Sequence, residues 1–289
     1  MKKLLGILLI VVLTLNTLVS CDVVFFNSDE SKSSYYIPVK AELTSSYGTA
    51  TIILDFGEND LASKKTSLMN NETFEIFEFF YDSNNKLSKL VQERDGEVYS
   101  ALEYSYGYGL NGLASNIMMS DGQTVNYIYD SKGRLTERVI TFEGSTILKE
   151  CYSYDKNGNV TEMLSYNDGG LRYTTTYSYD YRGRLIQKVT DEGLKYTYTY
   201  DYKGNLVKVV APGNILPSNT YGDFTYELTY DANGNIAEIK VTNTGGEEYI
   251  CTFEYKEGTP SQDIEINRHV SVAALFSSAA SVLSFHSSD

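Results

Sequence analysis

The sequence predicts an all-β protein, an antiparallel meander of repeated β-hairpins whose sheet is strongly curled or barrel-like, with a short C-terminal helix or tail. Three observations predict it. A motif of two aromatic anchors, an aspartate, two free positions, a glycine and, two residues on, an aliphatic residue returns about every 21 to 30 residues, at Tyr127–Leu135, Tyr152–Val160, Tyr177–Leu185, Tyr198–Leu206 and Leu228–Ile236. A second set of turn dipeptides lies between these motifs: Asp95-Gly96, Asp121-Gly122, Glu143-Gly144, Asp168-Gly169, Glu192-Gly193 and Gly245-Gly246. Finally, tracing degenerate copies gives aromatic anchors at Tyr81, Tyr106, Tyr129, Tyr154, Tyr179, Tyr200, Tyr230 and Tyr255. Two strands per anchor exceed the roughly ten strands that an open sheet sustains without curling.

The chain begins with a segment that is set apart from the fold. Lys2 and Lys3 precede an apolar run from Leu4 to Leu18, and Leu18-Val19-Ser20-Cys21 ends it with small residues before a cysteine. The ending resembles the lipobox of bacterial lipoproteins, which implies that residues 1–20 are a lipoprotein signal peptide and that Cys21 is lipidated; the alternative is an ordinary cleaved signal peptide in which Cys21 has no special role. The run is too short for a retained transmembrane helix. Residues 21–34, with Ser28-Asp29-Glu30-Ser31, read as a polar tether. Residues 35–263 form the β domain, and alternation from Tyr36 to Phe56 predicts one or two further strands. Residues 264–289 diverge in composition; Val272, Leu275, Phe276, Ala279, Val282 and Leu283 fall at helical spacing, so residues 270–285 are expected to form a capping helix, a final strand or a tail.

One repeat explains the rest. Val125–Tyr129 is rich in residues that pack on a pleated surface. Asp130-Ser131-Lys132-Gly133 then forms a type I turn, because the aspartate carboxylate accepts the backbone N–H two residues on and glycine takes the positive φ that follows. The three-residue loop with its glycine bulge sets Tyr129 opposite Leu135. The same structural roles fall to Asp155 and Gly158, Asp180 and Gly183, Asp201 and Gly204, and Asp231 and Gly234, with pairs Tyr154–Val160, Tyr179–Leu185, Tyr200–Leu206 and Tyr230–Ile236. In the copy ending at Leu87, Asn85 replaces the glycine, and asparagine tolerates positive φ.

The segments YIYDSKGRLTERV, YSYDKNGNVTEML, YSYDYRGRLIQKV, YTYDYKGNLVKVV and LTYDANGNIAEIK resemble the YD repeat of the Rhs family over about residues 74–257. That resemblance implies a β-shell assembled from hairpins. The chain carries no Asp-Pro-x-Gly signature before a C-terminal toxin. With its lipobox it is similar to small surface lipoproteins of Bacteroidetes, which implies an outer-membrane address on the periplasmic or cell-surface face.

Charge and residue inventory bound the function. The sequence has 24 Lys and Arg against 38 Asp and Glu; without residues 1–20 the balance is 22 against 38, a net charge of −16. Such a surface repels nucleic acid, so membrane contact is expected through the lipid on Cys21 and not through a basic patch. Cys151 and Cys251 are predicted to be free thiols on opposite faces of their strands. The two histidines, His269 and His286, stand in the divergent tail away from any nucleophile, and no metal-ligand or phosphate-loop spacing occurs. No catalytic residue, metal or cofactor is assigned. Asp82, Asp130, Asp155, Asp180, Asp201 and Asp231 share one rim, where they either cap their own turns or form a carboxylate ladder for a cation or sugar. The 26 tyrosines, without a tryptophan, are core if they face inward and a platform for a glycan or protein ligand if they face outward. Segments such as Tyr173–Tyr179 lack the apolar alternation of a membrane-spanning strand. The sequence reading is a non-enzymatic, lipid-anchored binding or structural module. Its alternatives are a glycan-acting accessory protein or hydrolase using rim carboxylates, and an adaptor or immunity partner of a toxin.

Overall fold

A computed structural model of the protein describes residues 35–46, 48–57, 60–109, 113–212 and 223–258. Residues 1–20, Cys21, the tether, His269, His286 and the 270–285 segment lie outside the described residues. The described residues form two compact units of strands.

The first unit contains β1 (Tyr35–Ser45), β2 (Gly48–Phe56), β3 (Ala62–Met69), β4 (Glu72–Tyr81) and β5 (Leu87–Arg94), together with β16 (Phe224–Tyr230), β17 (Ile236–Asn243) and β18 (Glu248–Gly258). Strand β1 pairs antiparallel with β2 on one side and with β18 on the other, and β2 to β5 follow as hairpins. Among the described strands, the first thus pairs with the last. The core of this unit buries Ile37, Leu43, Leu54, Phe77, Phe79, Leu87, Val241 and Tyr249, and with them the polar Lys65, Glu75 and Gln92. Alternation places them on one face, and the apolar burial is the main driving force for the unit.

The second unit begins within β6 (Glu97–Tyr108) and continues through β7 (Ala114–Met119), β8 (Gln123–Tyr129), β9 (Leu135–Phe142), β10 (Ser145–Tyr154), β11 (Val160–Asn167), β12 (Gly170–Tyr179), β13 (Leu185–Thr190) and β14 (Lys195–Tyr200). Each strand in it pairs antiparallel with the next. The short β15 (Leu206–Ala211) completes the set of eighteen strands among the described residues. The predicted all-β meander of hairpins is what the described residues form.

Two details differ from the sequence reading. The copy expected to be anchored at Tyr106 is anchored two residues later: Tyr108 stands opposite Ala114 across a bulge, and Gly109 N–H donates to the Leu113 carbonyl at 2.9 Å. Gly109 therefore occupies the place of the missing aspartate, and a backbone amide keeps the turn closed without it. The second set of turns is also less uniform than expected. Only Asp95-Gly96 and Glu143-Gly144 have positive φ at both residues, as a primed turn needs. At Glu192-Gly193 and Gly245-Gly246 the chain instead repeats the three-residue loop, with Thr190 and Asn243 in the role of the aspartate.

Candidate functional site

The recurrent aspartates line the turns, and each is occupied by its own loop. In the repeat of the second unit that ends at Leu135, Oδ1 of Asp130 accepts the N–H groups of Lys132 and Arg134 at 2.8 and 3.0 Å, while Oδ2 accepts Arg134 Nε at 2.7 Å. Gly133 N–H closes the turn on the Asp130 carbonyl at 3.0 Å, and its φ of +79 is the left-handed value that glycine adopts without strain. Asp180 repeats the arrangement with Arg182 and Arg184, at 2.9, 2.9 and 2.7 Å. Asp155 uses Asn157 and Asn159 (2.8, 2.9 and 2.9 Å), with the Asn159 amide in place of the guanidinium. In the first unit Asp231 bonds Asn233 and Asn235 in the same way, and Asp201 accepts from Asn205 at 2.8 and 3.0 Å. Gly158, Gly183, Gly204 and Gly234 all take positive φ at the matching position. Asn85 does so too, at +60, and Asp82 Oδ1 receives the N–H groups of Asn84 and Lys86.

These bonds stabilise the charged carboxylate. Backbone donation from Arg134 holds Asp130 below its ordinary pKa, and the Asn159 side chain does the same for Asp155. At Asp180, Asp201 and Asp231 local desolvation pushes the other way, and the sum of backbone and side-chain hydrogen bonds overrides it. Among the described residues no group of three or more His, Cys, Asp or Glu could hold a metal ion. The rim carboxylates therefore spend their acceptor capacity on loop geometry.

The paired motif tyrosines lie on the inward side, whereas Tyr99, Tyr108, Tyr181 and Tyr202 are exposed. Tyr196, Tyr198, Tyr226 and Tyr249 are buried, whereas the residue between paired anchors, Ile128, Ser153, Ser178, Thr199 or Thr229, is exposed. In five copies the second anchor of the motif reaches back to its predecessor. Within the second unit Tyr154 Oη donates to the Leu135 carbonyl at 2.5 Å and Tyr200 Oη to the Leu185 carbonyl at 2.9 Å. Within the first, Tyr81, Tyr230 and Tyr255 donate to Ala62, Leu206 and Ile236 at 2.7, 2.6 and 2.9 Å.

The geometry of the bulge explains this contact. The β9–β10 ladder ends at Glu137–Cys151, so the Leu135 carbonyl lies beyond it and needs another donor. The phenol supplies one, satisfying its own hydroxyl at the same time. Where the turn carries arginine, the guanidinium also stacks on the same ring: Arg134 lies 4.6 Å from the Tyr154 centroid and Arg184 4.7 Å from that of Tyr200. An aspartate thus orients an arginine, which holds the next repeat's tyrosine, which caps the previous repeat's carbonyl.

Sequence reasoning found the aspartate, glycine and tyrosine and missed their partners. The residue after the glycine is Arg or Asn in all five clear copies, a signal that marks the second ligand of Oδ2. A hydroxyl follows the aliphatic residue in several: Thr136, Thr161 and Ser88 sit at the bulge and donate to the carbonyls of Ile128, Ser153 and Phe80 at 3.0, 3.3 and 3.1 Å. A further copy had lost its signature. Gly57 and Asp60 exchange the usual roles, with Asp60 at φ +53 donating its N–H to the Gly57 carbonyl, and Phe56 stands opposite Ala62. Cys151 and Cys251 are both free, as their faces required, and Cys251 is buried.

Solved structures similar to this chain are of low identity. In a crystal structure titled TcdB2-TccC3-Cdc42 the likeness has 14% identity and a TM-score of 0.34, covering 72% of this chain and 15% of that one. A porin-like protein from Bacteroides uniformis is similar at 14% identity and a TM-score of 0.42, over 76% of this chain and 98% of that one. The Photorhabdus luminescens Tc holotoxin pore gives 18% identity and a TM-score of 0.32, over 72% and 9%. The chain thus spans a small part of the toxin-complex chains. No curated protein matches. A family model described as teneurin YD-shell matches residues 61–224, more than half of the chain and the stretch that holds most of the aspartate turns and tyrosine clamps. The chain belongs to the teneurin YD-shell family.

Proposed function

We propose that the protein is a non-enzymatic YD-shell module, held at the bacterial outer membrane by a lipid on Cys21 and serving as a binding or structural surface. The observation that carries the non-enzymatic reading is the rim: every carboxylate that the repeat aligns is already bonded by two or more groups of its own loop. Asp130, Asp155, Asp180, Asp201 and Asp231, whose pKa values are held low and whose two oxygens both accept from the loop, are poor general acids and poor nucleophiles. The anchoring reading rests on the Lys2-Lys3 and Leu4–Leu18 segment that leads into Leu18-Val19-Ser20-Cys21.

Two experiments test it. Fractionation of cells making the intact chain and a Cys21→Ser variant should place the former in the outer membrane and release the latter; equal membrane retention refutes the tether. A hydrolysis screen over oligosaccharides should yield no products, and turnover abolished by Asp155→Asn together with Asp180→Asn would overturn the non-enzymatic assignment.

A further inference from the structure

The turn tips of the second unit are sorted by charge. In an antiparallel meander, successive turns fall at opposite ends of the strands. The loops of β8–β9, β10–β11 and β12–β13 share one end and present Lys132, Lys156 and Arg182, all exposed. Those of β7–β8, β9–β10, β11–β12 and β13–β14 share the other end and present Asp121, Glu143, Asp168 and Glu192, also exposed. The aspartates at the cationic end do not cancel it. Asp130 and Asp180 are bridged to Arg134 and Arg184 at 2.6 Å, and Asp155 is bonded within its own loop, so the three exposed cations are left over. At the acidic end the exposed cations are Arg172 and Lys195, outnumbered by the acids, to which Asp191 adds one more.

The two rows have the same pitch. Neighbouring tips at either end are two strands apart, roughly 10 Å at about 4.8 Å per strand, and both rows follow the same strands through the twist of the sheet. Translating the unit along its strands, with a sideways shift of one strand, therefore brings cation onto acid at tip after tip. Apolar groups accompany the charges. Tyr181, beside Arg182 at one tip, is 88% exposed, and its ring centroid lies 5.4 Å from the guanidinium. At the acidic end Phe142, Ile147 and Leu171 flank their turns and are 41%, 41% and 57% exposed. Exposed ion pairs contribute little by themselves, so an aromatic ring at one end and open apolar side chains at the other supply the desolvated centre that the charges lack.

We propose that the second unit joins head to tail with a second copy of this chain, the Lys132, Lys156 and Arg182 tips of one copy meeting the Glu143, Asp168 and Glu192 tips of the other. The occupant follows from the match. A second copy offers acids at the cations' own pitch and apolar side chains for Tyr181. An anionic bilayer would attract the cationic end alone and leave the acidic end and its apolar residues without a part, and the chain's net charge of −14 opposes its approach. That charge also opposes two copies at long range. At about 0.15 M salt the repulsion is screened beyond about 8 Å, whereas tip-to-tip pairs act at shorter range. Because the contact joins two different surfaces, each copy in a pair keeps one free end and association continues past the dimer. The inference rests on reading the protein as a binding or structural surface and names the partner.

The test is sedimentation of the full chain in density-matched detergent at about 0.15 M salt. The parent should form species that grow with concentration and return to single chains near 1 M salt, where charges are screened within about 3 Å. Two neutralised variants, Lys132→Gln/Lys156→Gln/Arg182→Gln and Glu143→Gln/Asp168→Asn/Glu192→Gln, should each sediment as single chains, with the dissociation constant raised about tenfold or more. All six positions are exposed turn tips, so the fold should persist, as circular dichroism reads. Mixed in equal amounts, the two variants should form a one-to-one pair and nothing larger, since each keeps one intact end. Lys149→Gln, whose ammonium pairs with Glu137 within the sheet, should associate like the parent. Single chains at every concentration, association indifferent to salt and to both triple variants, or a mixture that does not pair overturns the contact. So does flotation of the Cys21→Ser chain on phosphatidylglycerol but not phosphatidylcholine vesicles, abolished by the three glutamines, without self-association. Membrane release of Cys21→Ser and the hydrolysis screen are read separately, so failure of the contact leaves the anchor and the non-enzymatic reading standing.

Discussion

Replacing Tyr200 by phenylalanine isolates one link of the clamp between repeats. The change deletes a hydroxyl that donates to the Leu185 carbonyl at 2.9 Å, and the Leu185 residue is buried to 5% exposure. The ring stays, and so does its contact with Arg184 at 4.7 Å. A hydrogen bond of this kind contributes about 1 kcal/mol net, and a carbonyl left partly buried without a donor adds to the loss, so Tyr200→Phe should cost about 1.5 kcal/mol. At a urea slope of about 3 kcal/mol per molar, the unfolding midpoint followed by far-ultraviolet circular dichroism should fall by about 0.5 M with the slope unchanged. The alkaline side carries a second signature. Burial pushes the Tyr200 hydroxyl up to about 12, above its ordinary value of 10.0, so the folded state holds this proton where the unfolded chain loses it. Its contribution is complete below about pH 10 and disappears as pH rises through about 12, and Tyr200→Phe should remove that part of the alkaline loss. A variant as stable as the parent at neutral pH, with the same alkaline profile, would refute the clamp.

Other outcomes follow from the same structure. Gly158 has φ of +93 with open space around it, so Gly158→Ala should cost about 1–2 kcal/mol through backbone strain alone, whereas Gly169→Ala, also in open space and without positive φ, should be nearly neutral; thermal unfolding of the pair distinguishes them. Burial lowers Lys65 to about 8 from 10.5, against the raising influence of Glu75, so the unfolded state binds the extra proton and stability should rise between about pH 8 and 10.5. Lys65→Met should abolish that rise and add about 1–2 kcal/mol at pH 7, since Glu75 retains Gln92 and Arg94, and urea unfolding at a series of pH values reads both effects. At the acid end, the lowered pKa of Asp155 means stability that is present above about pH 4 and lost as pH falls through the folded value; Asp155→Asn should flatten that part of the profile.

Much of the fold was legible because one chemical unit recurs with its turn intact. Asp130 and Gly133 determine a loop type, the loop determines that Tyr129 faces Leu135, and alternation does the rest. The Phe56–Ala62 hairpin was not legible as a copy of the repeat because it carries Gly57 where aspartate is usual and Asp60 where glycine is usual. The anchor at Tyr108 was misplaced by two residues for a related reason: Tyr104, Tyr106 and Tyr108 offer the same face, and alternation alone does not choose among them. The rim was visible as a line of aspartates, but its state depended on Arg134, Asn159 and their equivalents, whose side chains act only once the loop has folded. The alignment of Arg138, Glu150 and Ser165 was not legible, because they stand on three strands and only the register places them side by side.

The central claim is that the signature residues lock each repeat to the one before it. A double-mutant cycle between Arg184, in one turn, and Tyr200, the anchor of the following repeat, measures that lock without relying on either loss alone. With Arg184→Met and Tyr200→Leu, urea unfolding should give a coupling of about 0.5–1 kcal/mol, the value of a guanidinium held against a ring. Additive losses within about 0.3 kcal/mol would show that adjacent repeats do not hold each other through these residues.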